Sequence, residues 1–128
     1  MTPSELACMF IRKGMQDENA ATALLDNHDI ADEIIGFHCQ QAAEKSIKAV
    51  LVARKIEFRK THDLEILLQL LEDNEIEKPE YSQELGELQP FAVAFRYDLL
   101  DEPSLFDRKK AMEIVRRIRA WAESQISK

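Results

Sequence analysis

The sequence contains few of the residues that end helices or form turns, with only three Gly and four Pro among 128 residues. A sheet whose strands are joined by tight turns needs such residues at fixed positions, so their scarcity argues against β structure. Most of the chain consists of Ala, Leu, Glu, Lys, Ile and Gln, a composition that favours helices. We therefore predict an all-α protein, an up-and-down antiparallel bundle of four to five helices in one domain over residues 1–128.

Cysteines and long apolar runs are also scarce. Cys8 and Cys39 lie far apart inside helical patterns, without the paired spacing of a zinc site, and no signal peptide precedes them. The longest apolar runs, 49–53 and 91–95, are far shorter than the roughly 20 residues that span a bilayer. We expect a soluble cytoplasmic protein with reduced thiols and no membrane contact.

The familiar catalytic motifs are missing as well. The chain has no glycine-rich phosphate loop, no pair of His at helical spacing and no Ser or Cys nucleophile with an evident base. We expect neither a metal nor a cofactor, which leaves binding or metal-free chemistry.

Charge is unevenly distributed along the chain. The net charge of −7 argues against nonspecific nucleic-acid binding through the overall field. Residues 107–128 nevertheless contain seven Lys or Arg and three Asp or Glu, net +4, whereas residues 1–106 contain ten and 21, net −11. This basic C-terminal segment could meet an acidic partner, help to hold a dimer together, or simply be a solvated helix face.

Apolar periodicity and capping residues predict five helical segments. They cover residues 2 to about 26, 30 to about 54, 61–71, 81–95 with a kink at Pro90, and a last helix capped by Ser104 and Asp107. The second is the longest, and its predicted core face consists of small residues: Ile35, Cys39, Ala42, Ala43, Ser46, Ala49 and Val50.

The opposite arc of the second helix has an unusual mixture of polar and apolar residues. It carries Phe37, His38, Gln41, Glu44, Lys45 and Lys48, with Ile34 and Val52 at its ends. This arc could be a solvated face with a Glu44–Lys48 ion pair, a dimer interface, or a nucleotide-facing pocket. His62 is either a solvated loop residue or a group held beside the next helix.

A second candidate group is Arg96-Tyr97-Asp98, at the end of the fourth predicted helix. The planar Arg side chain suits phosphate or carboxylate, and Tyr can stack on a base. Equally, Arg96 could pair with Asp98 or a neighbouring acid to fasten the loop.

Three strings in this order, FHCQQAAEKSIK, THDL and FAVAFRYD, resemble the HEPN domain (higher eukaryotes and prokaryotes nucleotide-binding). The likeness covers essentially the whole chain and is strongest to small bacterial and archaeal members encoded beside a minimal nucleotidyltransferase. It implies a usually dimeric helical bundle that belongs to a two-component or toxin–antitoxin-like pair. It also implies that the polar arc of the second helix faces the end of the fourth. The predicted nucleotide site then consists of Gln41, Glu44, Lys45, Arg96 and Tyr97.

The same family includes metal-independent ribonucleases, whose motif at the dimer interface is an Arg and a later His separated by four to six residues. There the His acts as acid or base toward the ribose 2′-hydroxyl, and the Arg stabilises the phosphate. Arg96 matches the Arg, but positions 101–103 are Asp, Glu and Pro, and no His follows His62. A ribonuclease would need His38 or His62 as a substitute.

The sequence therefore predicts a homodimeric, nucleotide- or RNA-associated partner of a minimal nucleotidyltransferase that is not a competent nuclease. One alternative is a ribonuclease toxin that uses Arg96 with a displaced His. A second is a non-catalytic dimeric adaptor that binds its partner through the basic residues between Arg108 and Arg119.

Overall fold

The structure is a computed structural model, and it describes residues 1–92 and 106–128. These two ranges contain the α-helices α1 (Pro3–Leu24), α2 (Asp32–Ala53), α3 (Leu64–Asp73) and α4 (Arg108–Ile126), and two short 3₁₀ helices that span Glu84–Glu87 and Gln89–Ala92. No strand occurs in the two described ranges. The predicted all-α bundle is confirmed.

The start of α1 follows the local sequence signal closely. The Thr2 hydroxyl accepts a hydrogen bond from the Glu5 backbone N–H at 3.1 Å, and the Glu5 carboxylate accepts one from the Thr2 N–H at 3.3 Å. Pro3 occupies the first turn, where its missing N–H costs nothing. This capping box explains why the helix begins at the predicted residue.

Helix α2 lies at the centre of the bundle. It packs antiparallel to α1, since Gly14 faces Ala42 and Lys45, whereas Asp17, farther along α1, contacts His38. It packs parallel to α4, since Cys39 contacts Met112 near one end and Arg54 contacts Gln125 near the other. All seven residues of the predicted small-residue face are buried, which confirms it as the core face.

The prediction for the opposite arc of α2 needs a correction. Glu44 and Lys48, placed on a mixed face, are buried, and Gln40, Ile47 and Leu51 beside them are buried too. The cause is tertiary, because α3 and the second 3₁₀ helix both pack against this side of α2.

The predicted fourth helix is the clearest difference. The described part of residues 81–95 forms turns and the two 3₁₀ helices, not an α-helix. Pro90 lies inside the second of these, where it removes a backbone donor and its ring would crowd the carbonyl group four residues earlier in an α-helix. Residues 93–95 lie outside the described ranges.

Two predicted helix starts also differ. Asp63, not Thr61, caps α3, because its carboxylate accepts from the Glu65 N–H at 3.0 Å. Helix α2 starts after Ala31, which provides no side-chain cap. At α4 the predicted cap is confirmed for Asp107, which accepts from the Lys110 N–H at 3.0 Å, while Ser104 falls outside the described chain.

Helices α2 and α3 end in the same way. The N–H of Ile56 reaches back to the Leu51 carbonyl at 2.9 Å, and the N–H of Ile76 to the Leu71 carbonyl at 2.9 Å. The residues before them, Lys55 and Glu75, have φ angles of 60° and 58°. This is the Schellman arrangement, with a non-glycine residue at the left-handed position where Gly is most favourable.

Candidate functional site

One narrow strip of α2 remains open to solvent, because α1 covers one flank of the helix and α3 with the second 3₁₀ helix packs on the other. We call it the α2 stripe; it consists of Ile34, His38, Gln41, Lys45 and Val52. Ile34 is 38% exposed and the others are half-buried. The stripe therefore contains three of the polar residues that the sequence predicted for the site.

On the α1 side of the stripe, Asp17 joins two of these residues. Its Oδ1 lies 2.9 Å from His38 Nδ1, and its Oδ2 accepts a hydrogen bond from Lys45 Nζ. The Asp17 side chain is only 13% exposed, whereas those of His38 and Lys45 are 27% and 23% exposed. The Phe37 ring packs edge-on against the His38 ring with centroids 5.6 Å apart. Asp17, His38 and Lys45 form what we call the Asp17 cluster.

On the other side of the stripe, Glu44 has the same kind of partners. Its Oε1 lies 2.8 Å from His62 Nδ1, and its Oε2 accepts from Lys48 Nζ at 3.1 Å. Glu44 is 3% exposed, whereas the His62 ring is 60% exposed. Lys48 also lies over the Phe58 ring, 5.7 Å from its centroid. Glu44, Lys48 and His62 form the Glu44 cluster.

The two clusters share one electrostatic design. Each places a carboxylate between one imidazole and one ammonium group, so that each is neutral when the imidazole is neutral and carries +1 when it is protonated. Lone buried charges are costly, and the Lys partner offsets that cost for Glu44.

Glutamine amides connect the Glu44 cluster to the start of α3. Gln41 Nε2 donates to Gln40 Oε1 at 2.8 Å, and Gln40 Nε2 donates to Glu44 Oε1 and to the His62 carbonyl. Gln89 also donates to the His62 carbonyl, and its Oε1 accepts from the Leu64 N–H at 2.8 Å. Within the described residues no buried side-chain nitrogen or oxygen lacks a partner. The network holds the segment around His62 against α2.

The structure thus brings together some of the predicted site residues. Gln41 and Lys45 lie on the stripe with His38, and Glu44 and His62 adjoin it. Arg96 and Tyr97, the other two predicted nucleotide-site residues, lie outside the described ranges.

Sequence reasoning missed three participants, which are Asp17, Gln40 and Gln89. Asp17 sits in the polar string Gln16–Asn19, which looks like an ordinary solvated face, and no local signal pairs it with α2. Gln40 offered a faint signal, because it lies four residues before Glu44 and therefore on the same side of the predicted helix.

Two arginines of the basic helix α4 form ion pairs with residues of the other helices. Arg108 contacts Asp32 at 2.6 Å, and Arg119 forms a two-pronged contact with the buried Glu18 at 2.8 and 3.2 Å. Hydrogen bonds to Glu18 and then to Glu123 raise the pKa of Arg119. Both ends of the predicted adaptor surface are therefore used in holding the bundle together.

The helices and these clusters define an all-α bundle with a built polar site on its central helix. A sequence model of the HEPN domain matches residues 7–125, and the chain belongs to the HEPN domain family. This membership supports a nucleotide- or RNA-associated function. Searches among curated proteins and among solved structures gave no significant match. No helix in the described part of the chain is long and apolar enough to cross a bilayer.

Proposed function

We propose that this protein binds a nucleotide or RNA along the α2 stripe, as the homodimeric cytoplasmic partner of a minimal nucleotidyltransferase in a toxin–antitoxin-like pair. The observation that carries the binding proposal is the pair of His–carboxylate–Lys clusters that flank the stripe of a HEPN-family chain. Polar groups that are already held in place lose little conformational entropy on binding, which favours a ligand site over a merely solvated face.

Each residue of the proposed site has a distinct role. Lys45 retains donors beyond its contact with Asp17 and would meet a phosphate, and Gln41 would meet a base edge. Glu44 is almost fully buried, so it would position His62 and Gln40 without touching the ligand. Arg96 and Tyr97 enter the proposal from the sequence, as a phosphate ligand and a stacking surface.

Titration of ATP into ¹⁵N-labelled protein tests the site. We expect saturable amide shifts centred on Gln41, Glu44 and Lys45. Lys45→Ala should weaken binding about tenfold, the cost of one charge-assisted hydrogen bond. Lys109→Ala, an exposed lysine on α4, is the matched control and should leave affinity unchanged. Shifts restricted to surface lysines at millimolar ATP would refute the site.

A ribonuclease is the second candidate, and the geometry of the histidines favours it in one respect. Asp17 and Glu44 each contact a histidine through Nδ1, which is how many enzymes orient a general base. Against it, the sequence lacks the His expected five to seven positions beyond Arg96. Incubation of the protein with transfer and messenger RNA in EDTA distinguishes the two functions. We expect no cleavage. Cleavage that is lost in Arg96→Ala and His38→Ala would show that the protein is a ribonuclease.

The partnership is tested separately from the ligand. Capture of the minimal nucleotidyltransferase on the immobilised chain at rising salt, with and without ATP, should show binding that depends on nucleotide. Binding of the same strength without any nucleotide effect would favour the purely structural adaptor. In that case the exposed Lys109 and Lys110 are the cations of α4 to replace first.

A further inference from the structure

The two histidines of the site are oriented in the same way. His38 meets Asp17 through Nδ1 at 2.9 Å, and His62 meets Glu44 through Nδ1 at 2.8 Å. An ionised carboxylate can only accept hydrogen bonds, so Nδ1 of each ring must carry the proton. A neutral imidazole with its proton on Nδ1 has its lone pair on Nε2, which then acts as an acceptor.

The other contacts of the two carboxylates keep them in the accepting role. Asp17 also accepts from Lys45, and Glu44 also accepts from Lys48 and from Gln40. Every described partner of these four oxygens is therefore a donor or an imidazole. No described residue hydrogen-bonds to Nε2 of either histidine, and both rings reach solvent, His38 at 27% and His62 at 60% exposure.

We infer that Asp17 and Glu44 are positioning residues that present two imidazole acceptors beside the α2 stripe, and that the group received there is a nucleoside. A nucleoside donates hydrogen bonds through its sugar hydroxyls and base amino group, whereas a phosphate offers acceptors and is repelled by a lone pair. This inference rests on the proposed function and specifies which part of the nucleotide occupies the site. The phosphate would lie toward Lys45.

The tautomers can be measured without any ligand. Long-range ¹H–¹⁵N spectra of the free protein at pH 8 should show the Nδ1–H form for both His38 and His62. Asp17→Ala should release His38 to the Nε2–H form and leave His62 unchanged as the internal control. Asp17→Asn keeps an accepting oxygen at the same place and should restore the Nδ1–H form. An Nε2–H tautomer of His38 in the unmodified protein, or no response to Asp17→Ala, overturns the positioning role.

The ligand class is tested by titrating adenosine, adenine and inorganic phosphate while observing the histidine ring signals. Adenosine should shift both rings and bind about tenfold more weakly to Asp17→Ala. If adenine acts equally, the base amino group is the donor; if only adenosine acts, the sugar hydroxyls are. The nucleoside assignment is refuted if only phosphate shifts the ring signals. It is also refuted if none of the three compounds shifts them while ATP still shifts the amide signals of the stripe. Either result leaves the proposed function standing. Failure of ATP itself refutes the proposed function, whatever the tautomers show.

Discussion

Replacing Arg108 by Ala should destabilise the bundle more than the same replacement of any other basic residue that the sequence places on the polar face of α4. The Arg108 side chain is 14% exposed, and its guanidinium holds the turn between α1 and α2 against the start of α4. It donates to the Asp32 carboxylate at 2.6 Å and to the backbone carbonyl oxygens of Leu24, Leu25, Asn27 and Ile30 at 2.5 to 3.4 Å. In a single side chain it fastens α4 to both long helices.

The loss in the free energy of unfolding depends on which of these acceptor oxygens water can hydrogen-bond to once the guanidinium is gone. Asn27 is exposed, so water replaces the guanidinium there. The contacts with Asp32 and the Ile30 carbonyl are part-buried, and hydrogen bonds to a charged group contribute about 1.5–3 kcal/mol each. We expect Arg108→Ala to lower the free energy of unfolding by about 3 kcal/mol, or Tm by about 10 °C.

Urea unfolding followed by circular dichroism at 222 nm measures the effect. Arg108→Lys keeps the charge but cannot reach acceptors on several sides, so it should lose about half as much. Lys109→Ala, the exposed neighbour, should stay within about 0.5 kcal/mol of the unmodified protein. If Arg108→Ala costs no more than Lys109→Ala, the turn is held by other contacts and the attribution to Arg108 is wrong.

Three further predictions concern individual positions. Glu75 is exposed with a φ of 58°, so Glu75→Gly should raise the free energy of unfolding by about 0.5–1 kcal/mol in the same urea assay, whereas Glu75→Ala should not. A Cβ at Gly14 would lie 3.4 Å from the Ala42 carbonyl oxygen, which is an ordinary contact. In a thermal melt, Gly14→Ala should therefore be neutral or stabilising. A Gly14→Leu variant of equal stability would contradict this packing. Burial, with a smaller contribution from Glu18, raises the pKa of Cys39 to about 12, so at pH 8 its thiol stays protonated. Iodoacetamide should then alkylate only the exposed Cys8 in the folded protein, and two labels by mass spectrometry would refute this.

Local patterns predicted the parts of the fold that depend on neighbours in the chain. The capping box of Thr2 and Glu5 joins residues three apart, and the buried face of α2 repeats every three to four residues. The same periodicity predicts an apolar stripe of Ala111, Ile114, Val115, Ile118, Trp121 and Ala122 on α4, where Trp121 is half-buried and the other five are buried. A pattern failed where two local signals competed, since the apolar spacing of residues 81–92 favoured an α-helix and Pro90 opposed it.

The candidate site likewise has a part that the sequence predicts and a part that only the tertiary structure shows. The sequence by itself determined an all-α chain of the HEPN family with His38, Gln41 and Lys45 on one arc of its second helix, because the angle between residues on a helix depends only on their spacing. The prediction that this helix is the longest was wrong, since α1 and α2 both have 22 residues. Only the tertiary structure decided that Asp17 orients His38, that Glu44 and Lys48 are buried, and that His62 joins them. These contacts link residues 18 to 28 positions apart, or depend on which elements cover a helix face. Periodicity along one helix carries no information about which neighbour packs on it.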